Sequence, residues 1–426
     1  MPPLRWVWED LGPTASATLE GLFQRHKETT CRASPPGITW AAVTSGFRMQ
    51  YPLLARLAVL LALVPPAGLM AQTSQPGSVA SWLQVGFDPG QTYFNPYENV
   101  LNASNVKNLS VLWEVELNAA GEANASPGPL TTFENIIVAG DNGAFSTLSG
   151  LDETSGDYVW QNIYGTGAAA IGEGIAFSSS FGEELFAINA TNGSTVWIAN
   201  LGTTFANSPP STAADGKVVV SDGIGTLWAV DQATGKLLWN YNIQAAATYP
   251  AAAANGRAFV CAAGCYAFSQ SGDLLWYRRG SANSVVASGA MVFASTPSGT
   301  FALDAATGRR IWGYDLGGSS VAAAFADGIL YTSGHSITAL NAETGSVIWT
   351  ASVTTHFPVA VANGVLYAHA DSGTLYAIDA QTGATLRRIS TDIPTTGPIV
   401  VNGSVFLGTT DEDVGGAYIW AFGLAP

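Results

Sequence analysis

Polar residues that could bind a small ligand recur just before short segments of small apolar residues. They are Ser208, Tyr249, Asn283, Ser284, Ser320, His356 and Thr396. Their hydroxyl, amide and imidazole groups can donate and accept hydrogen bonds, and an imidazole can also change charge near neutral pH. His356 stands out because it directly precedes Phe357-Pro358 at the entry to one such segment. A role in binding a ligand or a partner side chain and an incidental exposed position are both compatible with this histidine.

The small-residue segments carry no carboxylate apart from the turn residues at their ends. They read GAAAIG (167–172), STAAD (211–215), AAAAN (251–255), VVASG (285–289), VAAAFAD (321–327) and VAVAN (359–363). General acid–base catalysis and Ca²⁺ binding both depend largely on carboxylate and amide side chains. The pattern favours packing over catalysis, and we predict no catalytic residue and no metal ligand along these segments.

Two cysteines, Cys261 and Cys265 in AFVCAAGCYAF, are a further candidate for chemistry. We predict a disulfide between them across a tight turn, as an oxidising compartment would allow. A metal site would need additional soft ligands nearby, and the surrounding sequence shows none.

An acidic loop, TTDEDVGGA (409–417), brings together Asp411, Glu412 and Asp413. It is either a surface site for a cation or partner, or simply a solvated loop.

A short sequence phrase occurs seven times, and it predicts the strands and turns that position these residues. The copies read LDETSGDYVW (151–160), INATNGSTVW (188–197), VDQATGKLLW (230–239), FSQSGDLLW (268–276), LDAATGRRIW (303–312), LNAETGSVIW (340–349) and IDAQTGATLR (378–387). The turn glycines from Gly156 to Gly383 span 227 residues in six intervals, about 38 residues each. This period is typical of propeller blades or solenoids.

Each repeat predicts four strands. The phrase has alternating apolar residues on both sides of D-x-x-T-G turn chemistry, which indicates a β-hairpin. A second hairpin is signalled upstream by the pairs Asp215-Gly216, Asn255-Gly256, Ser288-Gly289, Asp327-Gly328, Asn363-Gly364 and Asn402-Gly403. Four strands repeated in sequence order make a propeller blade.

The two ends of the repeat region predict how the ring closes. Residues 398–407 (PIVVNGSVFL) and 418–424 (YIWAFGL) provide three strands of a last blade that lacks a Trp strand, while VLWEVEL (111–117) is an unpaired Trp strand before the first repeat. Because closing the ring protects the edge strands, we predict an all-β, eight-bladed β-propeller of four-stranded blades. The N-terminal strand completes the last blade, and the propeller spans residues 111–424.

The repeat phrase resembles the PQQ-like, or quinoprotein-type, β-propeller repeats. The resemblance covers residues 82–424 and includes a lead-in segment, residues 72–110, with Trp82, GFDPGQTYFNP (86–96) and NVKNLSVLW (105–113). It implies that the phrase tryptophans dock neighbouring blades: Trp113, Trp160, Trp197, Trp239, Trp276, Trp312 and Trp349. Arg387 replaces the Trp in the seventh copy, so that junction is expected to be weaker unless its guanidinium stacks on a ring. Asp231, Asp304 and Asp379 are expected to form turns.

The resemblance implies two classes of function. Quinoprotein dehydrogenases of alcohols or sugars hold PQQ with Ca²⁺ in the channel and use an Asp as general base, whereas an outer-membrane assembly factor of the family is a scaffold that binds proteins. The carboxylate-free segments and the absence of C-x-x-C-H favour the scaffold, with no cofactor and with an envelope protein or small ligand bound at one face. The C-x-x-x-C spacing differs from the adjacent cysteine pair of the dehydrogenases, and no lipidation Cys follows the signal, unlike in the assembly factor.

The N-terminus and charge define the expected compartment. LAVLLALV (57–64), preceded by Arg48 and Arg56 and followed by PPAGLMAQ, indicates a signal peptide over residues 49–71, and its apolar core is too short to span a bilayer. Residues 1–48 are either an over-extended gene model or a disordered cytoplasmic extension. We expect a periplasmic or secreted monomer.

The chain has 16 Lys and Arg against 31 Asp and Glu, a net charge of −15, which argues against nucleic acid as a partner.

Overall fold

The fold was obtained as a computed structural model, which describes residues 80–117, 126–141, 147–163, 167–179, 182–204, 212–247, 249–315, 322–411 and 416–425. The predicted signal peptide, residues 49–71, and the residues before it lie outside these ranges. Ala67–Pro426 forms one compact unit. In the described part of the chain, no helix is long and apolar enough to cross a membrane.

The described residues form β-strands and one short 3₁₀ helix, Val106–Asn108. The first half of the strands are β1 (Phe94–Asn95), β2 (Leu109–Leu117), β3 (Thr131–Phe133), β4 (Ile136–Gly140), β5 (Leu148–Asp152), β6 (Tyr158–Asn162), β7 (Ala170–Gly172), β8 (Ile175–Ser179), β9 (Glu184–Asn189), β10 (Thr195–Asn200), β11 (Thr212–Ala214), β12 (Lys217–Ser221), β13 (Thr226–Asp231), β14 (Leu237–Asn242), β15 (Ala252–Ala254), β16 (Arg257–Cys261) and β17 (Gly264–Ser269). The remaining strands are β18 (Leu274–Arg279), β19 (Ser284–Ser288), β20 (Met291–Thr296), β21 (Gly299–Asp304), β22 (Arg310–Asp315), β23 (Ala324–Ala326), β24 (Ile329–Thr332), β25 (Ile337–Asn341), β26 (Val347–Ala351), β27 (Ala360–Ala362), β28 (Val365–Ala370), β29 (Thr374–Asp379), β30 (Thr385–Ser390), β31 (Ile393–Pro394), β32 (Ile399–Val401), β33 (Ser404–Thr410) and β34 (Ala417–Leu424).

These strands form eight antiparallel sheets in the order expected of propeller blades. Blades 1 to 7 consist, in chain order, of β3–β6, β7–β10, β11–β14, β15–β18, β19–β22, β23–β26 and β27–β30. In blade 8, β32 and β31 both pair with β33, β33 pairs with β34, and β34 pairs with β2. The predicted eight-bladed propeller, with an N-terminal strand completing the last blade, is confirmed.

The hairpin turn between the first two strands of most blades depends on residues that accept positive φ. Asn363 and Gly364 have φ of 45° and 75°, and Asn402 and Gly403 have φ of 52° and 79°. Positive φ at both central residues is the geometry of a type I′ turn, which suits the twist of a two-residue hairpin. This is why Asn-Gly and Asp-Gly recur at these positions.

The second hairpin of each of blades 1 to 7 docks the preceding blade of the ring. In blade 5, Asp304 Oδ1 accepts hydrogen bonds from the backbone N–H of Ala306 and Thr307, at 3.1 and 2.8 Å. Gly308 closes this turn with φ of 68°, and a Cβ on it would lie 2.7 Å from the ring of Trp276 in blade 4. The glycine therefore gives both the backbone conformation and the flat surface on which the preceding tryptophan rests.

The same contact recurs at seven junctions. The pairs are Trp113 on Gly156, Trp160 on Gly193, Trp197 on Gly235, Trp239 on Gly272, Trp276 on Gly308, Trp312 on Gly345 and Trp349 on Gly383. In each case the indole Nε1 also donates a hydrogen bond to a backbone carbonyl of the next blade, over 2.8 to 3.3 Å. These tryptophans therefore hold blade to blade.

Arg387 occupies the tryptophan position of blade 7, opposite Ala377, and its side chain is exposed. Blade 8 has no turn glycine to receive a tryptophan. Its two outer strands, β34 and β2, come from opposite ends of the repeat region in the sequence, so no hairpin turn joins them. Residues of the 3₁₀ helix Val106–Asn108 contact β30 there instead. In this strand the neighbouring Arg388 stacks on a ring, with its guanidinium carbon 5.1 Å from the centre of Tyr376.

A belt made of residues 82–95 of the lead-in segment fills the channel along the propeller axis. Its carbonyl oxygens, or the side chains of Gln84 and Asn95, hydrogen-bond to the inner strand of every blade. The partners are, from blade 1 to blade 8, Thr132, Ile171, Ala213, Ala253, Ala287, Phe325, Val361 and Val400, over 2.6 to 3.1 Å. The last two belt residues, Phe94 and Asn95, form β1, which adds in parallel to the inner strand of blade 7.

The belt gives the small residues of the inner strands a different purpose from the one expected. The pattern was expected to serve packing, and in the structure the small residues leave room for another stretch of backbone. Gly90 shows how close the contact is, because a Cβ on it would overlap the carbonyl oxygen of Ala287. Trp82 is fully buried and packs edge-on against Phe87, with ring centres 5.1 Å apart, which fixes one end of the belt.

Candidate ligand-binding site at the mouth of the central channel

A cavity of about 230 Å³ lies where the inner strands of several blades begin. Its described walls come from the segments that enter blades 1, 4, 7 and 8, and its floor comes from the belt. The lining residues are Val85, Tyr93, Pro129, Leu130, Tyr249, Pro250, His356, Phe357, Pro358, Thr395, Thr396, Gly397, Pro398 and Ile399. Four prolines and several apolar side chains make the cavity largely apolar, with a few polar groups that converge on it.

The predicted polar residues are only partly brought together. Tyr249, His356 and Thr396 line this one cavity. Asn283 enters blade 5, where its backbone N–H donates to the Ser295 carbonyl over 2.7 Å, and it is not part of the cavity wall. Ser208 and Ser320 lie outside the described residues. Ser284 is buried at the start of β19.

His356 is held at the rim by a carboxylate. Asp371, in the turn between β28 and β29, accepts a hydrogen bond from the backbone N–H of His356 over 2.9 Å. The other carboxylate oxygen lies 2.5 Å from Nδ1 of the His356 ring. The carboxylate orients the ring and leaves Nε2 as the nitrogen that can face a bound molecule. His335 packs against this ring in a T-shaped arrangement, with ring centres 6.3 Å apart.

His369 lies beneath the same wall and has a structural role. It is fully buried, its Nδ1 donates to the Thr396 carbonyl over 3.3 Å, and its Nε2 lies 2.8 Å from the Thr391 hydroxyl. Burial lowers the pKa of His369 to about 4, so the ring is neutral at physiological pH. Its contacts fix the backbone of Thr396 at the cavity wall.

Two tyrosines, Tyr93 and Tyr249, line the cavity. Burial raises the pKa of Tyr249 to about 12. The pKa of Tyr93 is also raised, first by burial and then by the nearby Tyr249. Both phenols therefore remain protonated and can donate hydrogen bonds. Nearby, the hydroxyl of Thr395 is buried and has no hydrogen-bond partner among the described residues.

Sequence reasoning found part of this site and missed the rest. Asp371 was missed because it lies 15 residues from His356, although both occur in connections at the same face of blade 7. Tyr93 and Val85 were missed because the lead-in was expected to precede the propeller and not to enter its axis. The hydrophobic pattern GQTYFNP gave no signal for a position inside the channel.

The donor groups at this mouth do not fit a quinone held by Ca²⁺. Ca²⁺ takes six to eight oxygen ligands, usually with carboxylates among them. The described lining residues supply phenols, hydroxyls, an imidazole and backbone carbonyls, but no carboxylate, and Asp371 at the rim is engaged by His356. No cluster of three or more His, Cys, Asp or Glu that could hold a metal occurs among the described residues.

The remaining predicted sites lie elsewhere. Cys261 and Cys265 are joined by a disulfide across the turn between β16 and β17 in blade 4, with Cα atoms 4.1 Å apart. Asp411 directly follows β33, and its backbone N–H donates to the Gly416 carbonyl over 3.1 Å. Glu412 and Asp413 lie outside the described residues.

Comparison with known proteins places this geometry in context. A family model described as outer membrane protein assembly factor BamB matches residues 144–279, 182–320, 262–355 and 333–419. No curated protein sequence matches the chain.

Among solved structures, the chain is similar to three propellers at low identity. A europium-containing methanol dehydrogenase has a TM-score of 0.68 and 12% identity, with 81% of this chain and 98% of that chain covered. The quinohemoprotein alcohol dehydrogenase ADHIIG from Pseudomonas putida HK5 has a TM-score of 0.66 and 12% identity, with 81% and 80% covered. BamB from Moraxella catarrhalis has a TM-score of 0.58 and 17% identity, with 74% and 99% covered. At these identities the likeness shows a shared fold.

Proposed function

Because the chain belongs to the family described as outer membrane protein assembly factor BamB, whose model it matches over more than half of its length, we propose that it is a non-catalytic interaction scaffold. It is exported to the cell envelope, periplasmic or secreted, and works as a monomer. One propeller face binds an envelope protein or a small ligand, and no cofactor is needed.

The chemistry of the channel mouth is the observation that carries this proposal. The belt closes the axis below the cavity, and the described walls are apolar with isolated hydroxyl and imidazole groups. Sites for cofactors and other small molecules usually have volumes of ~300 to 1,000 Å³. A cavity of about 230 Å³ suits a side chain or a small molecule better than a quinone and its metal.

The alternative function is a PQQ-dependent dehydrogenase of alcohols or sugars, which the similarity to two dehydrogenase structures supports at the level of the fold. The two functions make opposite predictions for the purified protein. We expect calorimetric titration with PQQ and Ca²⁺ to show no binding in the micromolar range. We also expect no dye reduction with simple alcohols or sugars, because no described carboxylate lines the mouth to hold the metal or act as base.

A quinohemoprotein alcohol dehydrogenase assayed in parallel would show that the reagents are active. Micromolar binding together with turnover would overturn the scaffold proposal. A variant that replaces His356 by Ala would then tell whether the turnover depends on this mouth.

A further inference from the structure

Four arginines belong to the outer strands of blades 4 and 5 or directly precede one of them. Arg278 and Arg279 end β18, Arg310 begins β22 and Arg309 directly precedes it. The full chain has only 16 Lys and Arg against 31 Asp and Glu. On so acidic a chain, exposed arginines are the groups that can attract an anionic partner.

Two of these arginines converge on one aromatic ring. The guanidinium carbons of Arg278, from blade 4, and Arg310, from blade 5, each lie 5.8 Å from the centre of the Phe301 ring. Arg310 reaches this position by folding over Gly313, where any side chain would overlap it, and by donating from Nε to the Trp312 carbonyl over 3.2 Å. Both guanidinium groups thus lie close to the Phe301 ring at the junction of blades 4 and 5, which we call the groove between the blades.

Neither guanidinium forms a salt bridge within the described part of the chain. Among the described residues, no Asp or Glu oxygen lies within 4.0 Å of either group, and the only pair within that distance is His356 with Asp371. The Nη groups of Arg310 remain available because its bond to Trp312 uses Nε. Arginine forks bind carboxylates through two parallel hydrogen bonds, so two unpaired forks in one groove suit a partner with carboxylates.

The surroundings favour a peptide over a free anion. β18 and β22 are the outermost strands of their sheets, so one edge of each has no strand partner in the described sheets. Leu275 and Tyr277, on β18 beside the arginines, are 44% and 51% exposed. An extended peptide can pair with such an edge strand. Its apolar side chains would then contact Leu275 and Tyr277, and its acidic side chains would contact the arginines.

We infer that the groove between blades 4 and 5 binds an extended acidic peptide segment of a partner protein through Arg278, Arg310 and the adjacent edge strand. This site deepens the proposed scaffold function and rests on it. It lies on the outer rim, away from the channel mouth, so the two can be tested separately.

A fluorescently labelled peptide of alternating Glu and Val provides the probe, with binding to the purified protein measured by fluorescence anisotropy. We expect binding that weakens as salt rises, and loss of affinity by about tenfold or more in an R278A/R310A double variant. The control variant R387A/R388A removes the same charge from β30 in blade 7, and we expect it to bind almost as well as the parent protein. Circular dichroism and thermal unfolding establish that each variant is folded.

Three outcomes would overturn the inference. The peptide may fail to bind the parent protein, both double variants may lose equal affinity, or heparin may bind through these arginines in preference to the peptide. The second result would indicate non-specific charge attraction, and the third a site for sulfate or phosphate groups. A variant with R278K and R310K keeps the charge, so weaker binding by this variant would show that the planar forks matter. None of these results depends on the PQQ titration, which tests the scaffold function itself.

Discussion

Glu153 is a buried carboxylate in the turn of the first blade, beside the ring closure. Both of its oxygens accept hydrogen bonds from the Asn402 amide of blade 8, over 3.0 and 3.2 Å. The pKa of Glu153 is raised to about 7, mainly by burial, with the Asn402 hydrogen bond lowering it and the nearby charges of Asp152 and Glu98 raising it. A carboxylate whose pKa is raised by the fold is bound to its proton more tightly in the folded protein than in the unfolded chain.

This residue predicts that stability falls as pH rises. Between pH 4.5 and 7 the folded protein holds the Glu153 proton while the unfolded chain has released it, so the free energy of unfolding decreases by on the order of 2 to 3 kcal/mol across that window. Replacing Glu153 by Gln removes this loss. We expect E153Q to raise the melting temperature at pH 8 and to change it little at pH 5, as measured by calorimetry.

Glu343 offers the matched control, because it lies in the corresponding turn of blade 6 and is exposed. E343Q should leave the pH dependence unchanged. An unaltered pH profile for E153Q would show that the buried carboxylate does not titrate in this window.

Some contacts of single residues could be predicted from the sequence, and others could not. The types and spacing of Asp304 and Gly308 were enough to predict the turn, because the phrase repeats at a fixed period, and the resemblance to the PQQ-like repeats implied that Trp312 docks a neighbouring blade. His356 was also identified as a candidate, but its partner Asp371 was not, since their contact occurs once and depends on tertiary structure. Contacts that are not repeated leave no period in a sequence.

The belt of residues 82–95 is the element that sequence patterns failed to place. Its strand character is limited to two residues, and it hydrogen-bonds to each of eight separate inner strands. Three of its residues, Phe87, Gln91 and Tyr93, have positive φ, so the segment follows no regular period. Secondary-structure propensity and the alternation of apolar and polar residues predict regular helices and strands. They give no signal for a segment whose conformation is set by the residues packed around it.

The belt predicts a strong effect of adding a single methyl group at Gly90. A Cβ there would overlap the Ala287 carbonyl oxygen. This oxygen is a backbone atom, so it cannot move aside as the end of a flexible side chain could. We expect G90A to lower the free energy of unfolding by about 2 kcal/mol or more. Chemical denaturation measured by tryptophan fluorescence would test this value.

Gly216 provides a comparison, because it has φ of 72° but open space around its α-carbon. We expect G216A to cost about 1 kcal/mol, from backbone strain alone. Equal costs for the two variants would contradict a tight fit of the belt within the channel.

At the scale of the whole molecule, the number of blades and the way the ring closes were predicted from the sequence. The steady repeat gave seven blades, and the unpaired strand VLWEVEL together with the C-terminal strands gave the eighth. In the structure, β2 pairs with β34 from Leu109 opposite Leu424 to Leu117 opposite Ala417. What the repeat could not reveal is that the belt also joins all eight blades from the inside.

The pairing of β2 with β34 makes blade 8 different from every other blade. In blade 2 the outer strand β10 remains tied to β9 by the covalent turn at Asn192 and Gly193, whereas the two outer strands of blade 8 are held by the ladder between them. Val115 and Ala199 occupy the same position, two residues after the docking tryptophan of their strands. A proline at either position removes a backbone donor and costs about 3 kcal/mol when a ladder bond is lost.

We therefore expect V115P to destabilise the protein more than A199P, because only V115P weakens a closure that no covalent turn maintains. Thermal unfolding measures the stability of both variants, and small-angle scattering measures whether the ring opens. V115P should show a larger fall in melting temperature and an increased radius of gyration below that temperature, while A199P stays compact. Equal falls in melting temperature with an unchanged radius of gyration would mean that the ladder between β2 and β34 is not needed to keep the ring closed. The hydrogen bonds of the belt to the inner strands would then be what closes the ring.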